Sequence, residues 1–336
     1  MQSSSLGRAP MAPPTRWPLR SWIGQGLVVA AVLLALYALV QAIAANLGAR
    51  GIRTGFDFLA AKANLSISES WIAFRPGQDS YARVLLIGAL NTVFVSLLAI
   101  VLGTVLGVSV GLARLSSNWL LGRTAGAFVE VIRNVPLPLQ LLNCYQVLLN
   151  LPSPRNAVRW GEAVALSNRG LWLPALDWSQ GLPQWSLPVL HGFNFQGGMQ
   201  LSPELAALVI ALTLYAGAFI GEIVRAGILS VPRGQWEAAQ SLGLTRGQVL
   251  RDVVAPLSRR LIIPPLAGEY LNTIKNSSLA VVIGYPELTS LVNTMLSETG
   301  QPIEAVALLM LAYLTISVPL ALFMDRYNRR TAVMFR

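Results

Sequence analysis

The chain has 336 residues, of which 54% are hydrophobic and only 12% are charged, and its mean hydropathy is +0.56. Because soluble globular domains carry about 25% charged residues, this composition predicts an integral membrane protein. A single cysteine, Cys144, and a single histidine, His191, exclude an intrachain disulfide, thiolate zinc and iron–sulfur sites, and His-based metal centres. We therefore expect no metal and no cofactor on this chain.

The net charge of +10 is carried by segments that separate apolar runs. This distribution is typical of loops held on the cytoplasmic face of a membrane, and it argues against nucleic acid as a partner. Neither lysine of the chain, Lys62 or Lys275, follows a glycine, so the GK[ST] step of a phosphate-binding P-loop is missing. The chain is expected to be non-catalytic and not to hydrolyse ATP by that route.

Six apolar runs reach about 20 residues, the helical length that crosses a hydrocarbon core of roughly 30 Å. They are residues 26–45, 84–112, 127–149, 205–224, 261–284 and 303–324. The third and fifth runs contain ionisable residues, which indicates that part of each faces protein or water. In the second run, Gly103, Gly107 and Gly111 predict close packing against another helix. The sequence thus predicts an all-α polytopic membrane protein with about six transmembrane helices.

Arginine placement predicts the orientation of these helices. Arginines outnumber acidic residues before the first run, between the second and third, between the fourth and fifth, and after the last. The loop at 285–302 contains Glu287 and Glu298 but no basic residue. Because positively charged loops remain on the cytoplasmic side, both termini are expected to be cytoplasmic.

This orientation divides the chain into three regions. Residues 1–25 are predicted to be a partly disordered cytoplasmic tail, residues 26–83 the first transmembrane helix with an external loop, and residues 84–330 the main transmembrane domain. Within that domain, residues 151–203 are predicted to be an external loop whose tryptophans suit the membrane interface. These tryptophans are Trp160, Trp172, Trp178 and Trp185.

The connection between the fourth and fifth runs, residues 235–260, is too polar to span a membrane and too regular for a linker. The Glu-Ala-Ala sequence at 237–239 predicts a short helix that ends at Gly243, and Pro256 is expected to cap a second short piece. The result is a small helix-turn-helix on the cytoplasmic face. Its alanines would let a partner approach closely, and its glutamate would make charge-assisted contacts.

The spacing of this connection resembles the EAA loop of ABC importer permeases. Three residues separate the Glu-Ala-Ala sequence from its glycine, and twelve more separate that glycine from the final proline. In that family the loop forms a coupling helix that sits in a groove of a separate ATPase subunit. The residues to which the resemblance assigns coupling are Gln235, Glu237, Ala238, Ala239, Gly243 and Pro256.

Other segments are similar to the polar amino acid branch of these permeases, the histidine, glutamine and glutamate type. They are VIRNVPLPLQ at 131–140, GEIVRAGI at 221–228 and NTIKNSSL at 272–279. The NRGL sequence at 168–171 is most similar to general L-amino acid permeases. The resemblance implies a type I ABC importer permease fold in the bacterial inner membrane, and alternating access coupled to ATP and Mg on the partner ATPase.

The resemblance also implies the partners. Two ATPase subunits, a periplasmic amino acid binding protein and a second homologous permease subunit would complete the importer. General L-amino acid systems use two different permeases, so a heterodimer is favoured over a homodimer.

Polar residues within the apolar runs are candidates for the translocation path or for contacts between subunits. They are Arg133, Asn134, Pro136, Gln140, Glu222, Arg225, Glu269, Lys275, Asn276, Ser277 and Ser278. Arg133 lies three residues after Glu130, so an internal ion pair competes with a role in meeting a substrate carboxylate. Glu222 and Arg225 repeat this spacing, and there we favour a structural ion pair.

The fifth run opens with Pro264-Pro265, which predicts a break in regular helix and exposed backbone carbonyls. Lys275 and its polar neighbours then either line the translocation path or form hydrogen bonds that hold two permease subunits together.

Two rival functions remain at this point. One is a secondary transporter driven by an ion gradient, with Glu269 and Lys275 as the coupling groups. The other is a membrane scaffold without transport activity. The EAA-like loop argues against both.

Overall fold

The computed structural model describes residues 19–49, 54–177 and 183–333. It divides into two compact units, Met1–Gly55 and Phe56–Arg336. The first contains one long helix, α1 (Leu19–Ala49), whose large apolar side chains are exposed where they are described. The part of the predicted cytoplasmic tail that precedes residue 19 lies outside the described residues.

The second unit is mostly helical, as predicted. Its helices are α2 (Tyr81–Ala113), α3 (Trp119–Asn134), α4 (Leu137–Leu149), α5 (Pro203–Leu229), α6 (Arg233–Ser241), α7 (Arg246–Gln248), α8 (Ala255–Asn276), α9 (Leu288–Thr299) and α10 (Pro302–Val333). A π-helix, Val249–Val254, joins α7 to α8, and a 3-10 helix, Ser277–Ile283, follows α8. Shorter 3-10 turns occur at Asp57–Ala60 and Pro154–Asn156.

Within the described residues, four helical segments are long and apolar enough to cross a membrane. They are Ile23–Ile43, Tyr81–Ala113, Pro203–Leu229 and Pro302–Arg330. The pair Arg246–Ile283 and Leu288–Thr299, bent by 53°, makes a fifth if it is counted as one span.

The third predicted run, 127–149, is divided between α3 and α4 and is not one helix. Val135 has an extended backbone, with φ −92° and ψ 127°. Pro136 explains the break, because its ring disfavours helical backbone at the preceding residue and it has no N–H to donate.

Glycines allow α2 and α5 to approach closely, as the spacing in α2 predicts. A methyl group on Gly107 would lie 2.6 Å from Cβ of Ile220, and one on Gly111 would lie 2.7 Å from the carbonyl oxygen of Gly221. Both distances are too short for a real side chain. This helix pair therefore depends on residues without a side chain at its contact.

The two prolines of the fifth run do not interrupt the helix, contrary to prediction. Helix α8 is continuous from Ala255 to Asn276 with Pro264 and Pro265 inside it. Each proline removes one helical hydrogen bond, but α8 packs between α5 and α10, which hold the turn in place. Pro256 lies in the first turn of α8, so it opens this helix and does not cap a separate piece.

The predicted external loop contains eight short strands, which the sequence analysis missed. They are β1 (Val158–Trp160), β2 (Val164–Ser167), β3 (Gly170–Leu173), β4 (Ala175–Asp177), β5 (Gln184–Ser186), β6 (Val189–His191), β7 (Asn194–Gln196) and β8 (Met199–Leu201). They form an antiparallel four-stranded sheet in the order β1-β2-β3-β8 and two hairpins, β4-β5 and β6-β7. We call residues 158–201 the β segment.

The β segment has a small core of its own. Trp172 is buried against Phe195, with ring centroids 5.7 Å apart, so its predicted place at the membrane interface is wrong. Trp160 and Trp185 are exposed. Trp178 lies outside the described residues.

Candidate coupling helix and membrane-depth site

Helix α6 contains the Glu-Ala-Ala sequence and ends just before Gly243, as predicted. It begins after Pro232, ends before Leu242, and is followed by Gly243 with φ +78°. A positive φ is readily adopted by glycine, because a side chain would be strained there. Gly243 therefore lets the chain turn from α6 into α7.

The two faces of α6 differ in burial. Ala239 is buried and Trp236 half-buried in a cluster that includes Val249 and Val254 of the π-helix. Gln235, Glu237 and Ala238 are exposed on the other side. The prediction that both alanines face a partner is therefore wrong for Ala239, which holds α6 on its own subunit.

Leu242 is a residue that the motif did not single out. It directly follows α6, and its side chain is 81% exposed. An apolar side chain this exposed, beside the exposed face of α6, is a common feature of interaction sites. No signal in the sequence distinguishes it from a leucine buried in the same turn.

A short turn at residues 242–245 joins α6 to α7. The side chains and backbone of Thr245 and Gln248 form a capping box that starts α7. From there α7, the π-helix and α8 follow one another directly. Helix α6 contacts this continuous stretch through the packing of Ala239 and Trp236 against the π-helix.

Gln140 forms hydrogen bonds across the break between α3 and α4. Its Nε2 donates to the carbonyl oxygens of Ile132, at 2.7 Å, and Val135, at 2.8 Å. Gln140 is buried, whereas Asn134 and Pro136 at the break are exposed. Gln140 thus satisfies backbone groups that the break leaves without helical partners.

Arg133 is the last charged residue before this break, and it does not pair with Glu130. No ion pair found within the described residues joins the two side chains, so the predicted ion pair is wrong. The Arg133 guanidinium instead lies over the ring of Phe219 in α5, with Cζ 4.9 Å from the ring centroid. This cation–π contact leaves the in-plane N–H donors of the guanidinium available.

Glu222 forms the predicted ion pair with Arg225, with Oε1 2.6 Å from Nη2. It also accepts a hydrogen bond from Nη1 of Arg114, which follows α2. The sequence analysis missed this second arginine because it is more than 100 residues away in the chain. The three side chains connect the ends of α2 and α5.

A cavity of about 370 Å³ brings together two of the predicted site residues, Arg133 and Glu222. Arg133 of α3, Phe219 and Glu222 of α5, and Leu261 and Pro265 of α8 contribute to its walls. Basic and acidic groups thus share a cavity whose other walls are apolar.

Glu269 lies one helical turn beyond Pro265 on α8 and is buried. The side chain of Asn272 forms a hydrogen bond with it, while its buried Oε1 has no hydrogen-bond partner. Tyr215, which stacks on Phe219 at 4.8 Å between ring centroids, is within electrostatic reach of both Glu269 and Arg133. Tyr215, Phe219 and Asn272 complete this site and were not predicted.

Lys275 is separate from that group. It lies in a largely apolar groove of about 470 Å³ between α8 and α10. Ser278 donates to the Lys275 carbonyl oxygen at 2.7 Å, and Ser277 donates to that of Ile274 at 2.7 Å and is hydrogen-bonded to Tyr313 of α10. The adjacent Asn276 is the last residue of α8.

Comparison with known proteins identifies the class of this chain. Residues 99–333 match the family described as the binding-protein-dependent transport system inner membrane component, and the chain belongs to that family. It is the permease subunit of an ABC transporter, a non-catalytic membrane component whose ATPase is a separate subunit. The rival interpretation as an ion-gradient-driven transporter has no support.

Individual relatives are similar over most of their length. The chain is 42% identical to the putative amino-acid ABC transporter permease protein YhdX of Escherichia coli K12, over 100% of this chain and 99% of that protein. It is 36% identical to the general L-amino acid transport system permease protein AapQ of Rhizobium johnstonii, over 87% of each. A crystal structure of an amino acid ABC transporter with histidines matches with a TM-score of 0.55 and 26% identity, over 74% of this chain and 95% of that one.

Proposed function

We propose that this chain carries L-amino acids, polar ones or a broad range of them, inward through the bacterial inner membrane. The observation that carries this proposal is Arg133, held over Phe219 at a helix break beside a cavity. A guanidinium recognises a carboxylate by paired, charge-assisted hydrogen bonds. A cation at membrane depth is costly unless it meets a partner, and a substrate carboxylate would be one.

The ammonium group of an amino acid also has a complementary side chain nearby, the carboxylate of Glu269. Glu269 is buried one turn from Pro265, which lines the cavity with Arg133. Its Oε1 has no hydrogen-bond partner. We infer that this oxygen receives the substrate ammonium group, and that Tyr215 lies between the two charges.

The ATPase would drive transport through its contacts with α6. Its exposed residues Gln235, Glu237 and Ala238, with Leu242, form a surface for the ATPase that binds ATP and Mg. Ala239 and Trp236 fix α6 to the π-helix, so closure of two ATPases would displace α8 and with it Glu269. ATP and substrate would then each favour one of two helix arrangements, which is the condition for coupling.

The other subunits of the importer would be those expected for this family. A second homologous permease, different from this chain, would pair with it, and a periplasmic binding protein would deliver the amino acid. Both termini would be cytoplasmic, because the arginine-rich segments of the sequence are expected on that side of the membrane. On this basis residues 1–25 are a tail, 26–83 the first helix and external loop, and 84–330 the permease domain.

Reconstitution tests this function directly. The chain, its homologous permease, the ATPase and the binding protein are placed in proteoliposomes, and ATP-dependent uptake of labelled amino acids is measured with each component omitted in turn. Uptake that needs every component supports the proposal. Uptake by this chain alone, driven by an ion gradient, would overturn it.

A further inference from the structure

A second polar cavity lies at the opposite end of α5 from α6. Its volume is about 430 Å³, and it is enclosed by the end of α4, the start of α5, the segment before α2, and the β segment. Cavities of about 300–1,000 Å³ hold small ligands. Residues that the sequence analysis assigned mostly to external loops therefore form a space large enough for an amino acid.

The cavity contains two fixed carboxylates. Glu69 Oε2 accepts a hydrogen bond from the Ser202 hydroxyl at 2.5 Å, and Glu204 Oε1 accepts one from the Tyr145 hydroxyl at 2.8 Å. Both carboxylates line the cavity. Because each is held by a hydroxyl, their negative charges have defined positions.

The β segment contributes one cation. Arg169 lies in the turn between β2 and β3, is exposed, and lines the cavity. Gln200 Nε2 donates to the Arg169 carbonyl oxygen at 2.7 Å and so ties the turn to β8. The cavity thus has a positive and a negative part supplied by different elements.

Buried acceptors without partners add to the negative part. Within the described residues, Oδ1 of Asn168 and Oδ1 of Asn194 are buried and have no hydrogen-bond partner. Both asparagines line the cavity. Buried polar atoms in folded proteins are normally hydrogen-bonded, so the two asparagines have acceptor capacity that their own chain does not use.

The electrostatics of Glu69 agree with a cationic ligand group. Burial raises the pKa of Glu69, the negative charge of Glu204 raises it further, and the hydrogen bond from Ser202 opposes the rise. An ammonium group between the two carboxylates would relieve their repulsion. A bare metal ion is a poorer fit, since no group of three His, Cys, Asp or Glu side chains in the described residues is placed to hold one.

We propose that this cavity binds an amino acid zwitterion, with the ammonium group at Glu69 and Glu204 and the carboxylate at Arg169, before the amino acid passes between the helices. This inference rests on the proposed function for the identity of its ligand. It assigns the β segment a role in holding substrate outside the membrane-depth site at Arg133.

A cysteine-protection experiment tests the site. Ser68 is exposed and lines the cavity, whereas Ser66 is exposed but does not. Ser68→Cys and Ser66→Cys are made in a Cys144→Ala background, and the permease pair with its ATPases is placed in lipid nanodiscs. Labelling by a membrane-impermeant maleimide is then timed with and without L-glutamine, a neutral amino acid that carries only the two zwitterion charges.

L-glutamine is expected to slow labelling at position 68 and to leave labelling at position 66 unchanged. N-acetyl-L-glutamine, which has no ammonium group, should give no protection. Adding Arg169→Gln should raise the glutamine concentration needed for half-protection about tenfold. Arg155→Gln is the matched control, because Arg155 stacks on Phe193 of the β segment and does not line the cavity.

Equal labelling rates with and without L-glutamine would overturn the inference, as would a half-protection concentration that Arg169→Gln leaves unchanged. Protection that is lost in Arg133→Gln but kept in Arg169→Gln would place the ligand at the membrane-depth site instead. Reconstituted uptake by the unmodified complex separates the two proposals. If uptake occurs without protection at position 68, only the external site is wrong, and if no amino acid is taken up at all, the proposed function fails.

Discussion

The Arg133 guanidinium stacks on Phe219, 4.9 Å from the ring centroid, and joins the end of α3 to the middle of α5. The aromatic face holds the cation, while its N–H edge stays available for an anion. The ring thus acts as a support that sets the direction of the guanidinium.

Arg133→Gln is expected to reduce amino acid uptake strongly. Loss of a charge-assisted hydrogen bond costs about 1.5–3 kcal/mol, or roughly 10- to 100-fold in uptake efficiency. Phe219→Leu should have a smaller effect, because it removes the support and not the charge. Initial uptake rates over a range of substrate concentrations measure both variants. Glu130→Gln is the control and should behave like wild type, and an equal loss in that variant would contradict the role of Arg133.

Glu237→Lys is expected to uncouple or dissociate the ATPase. Glu237 is exposed on α6, so reversal of its charge changes the docking surface without disturbing the buried contacts of Ala239. Copurification of the ATPase and substrate-stimulated ATP hydrolysis are the measurements. The same reversal at Glu162, exposed in the turn between β1 and β2, should leave both normal. Normal association and uptake in Glu237→Lys would remove α6 as the coupling element.

Gly107→Ala is expected to destabilise the packing of α2 against α5. The new methyl group would lie 2.6 Å from Cβ of Ile220, and overpacking of this kind costs about 1–3 kcal/mol. Thermal unfolding of the purified subunit in detergent measures the loss. Gly126→Ala in α3 is the matched control, because no atom lies within 4 Å of its added Cβ. Similar unfolding temperatures for both variants would show that the two helices can separate without cost.

Glu69 is expected to make stability depend on pH. Its folded pKa is raised above the ordinary 4.5, chiefly by burial, so the folded chain binds this proton more tightly than the unfolded chain. The stability that this proton contributes is fully present below the unfolded pKa and is lost as the pH rises through the folded value. Glu69→Gln should therefore gain unfolding temperature relative to wild type as the pH rises above 4.5. Unfolding curves over a pH series measure the difference, with Glu162→Gln as a control for the loss of one exposed carboxylate, and a difference independent of pH would contradict the prediction.

Several features were predictable because they depend on neighbours in the chain. The helix at the Glu-Ala-Ala sequence and its end near Gly243 follow from helix formers and from the glycine, and the ion pair of Glu222 with Arg225 follows from their spacing on one helix. The break at Pro136 also depends on neighbours in the chain, since a proline restricts the backbone of the residue before it. The run 127–149 was nevertheless predicted as one span, because it is apolar throughout most of its length.

The features that were missed depend on residues far apart in the chain. The Arg114 contact with Glu222, the Phe219 support under Arg133, and the hydroxyl bonds to Glu69 and Glu204 each join separate elements. The strands of the β segment are only three or four residues long. Such short strands show little alternation, so their pairing is set by the sheet and not by local pattern.

By itself the sequence determined that the protein lies in a membrane, where its apolar helices are, and that it contains a coupling motif. These properties are set by composition, by runs of apolar residues and by the spacing of residues close in the chain. Only the tertiary structure decided that α8 continues through Pro264 and Pro265, that Ala239 faces inward, and which charges share a cavity. Those outcomes depend on packing between helices. There, contacts with residues far away in the sequence offset the free-energy cost of a lost hydrogen bond or a buried charge.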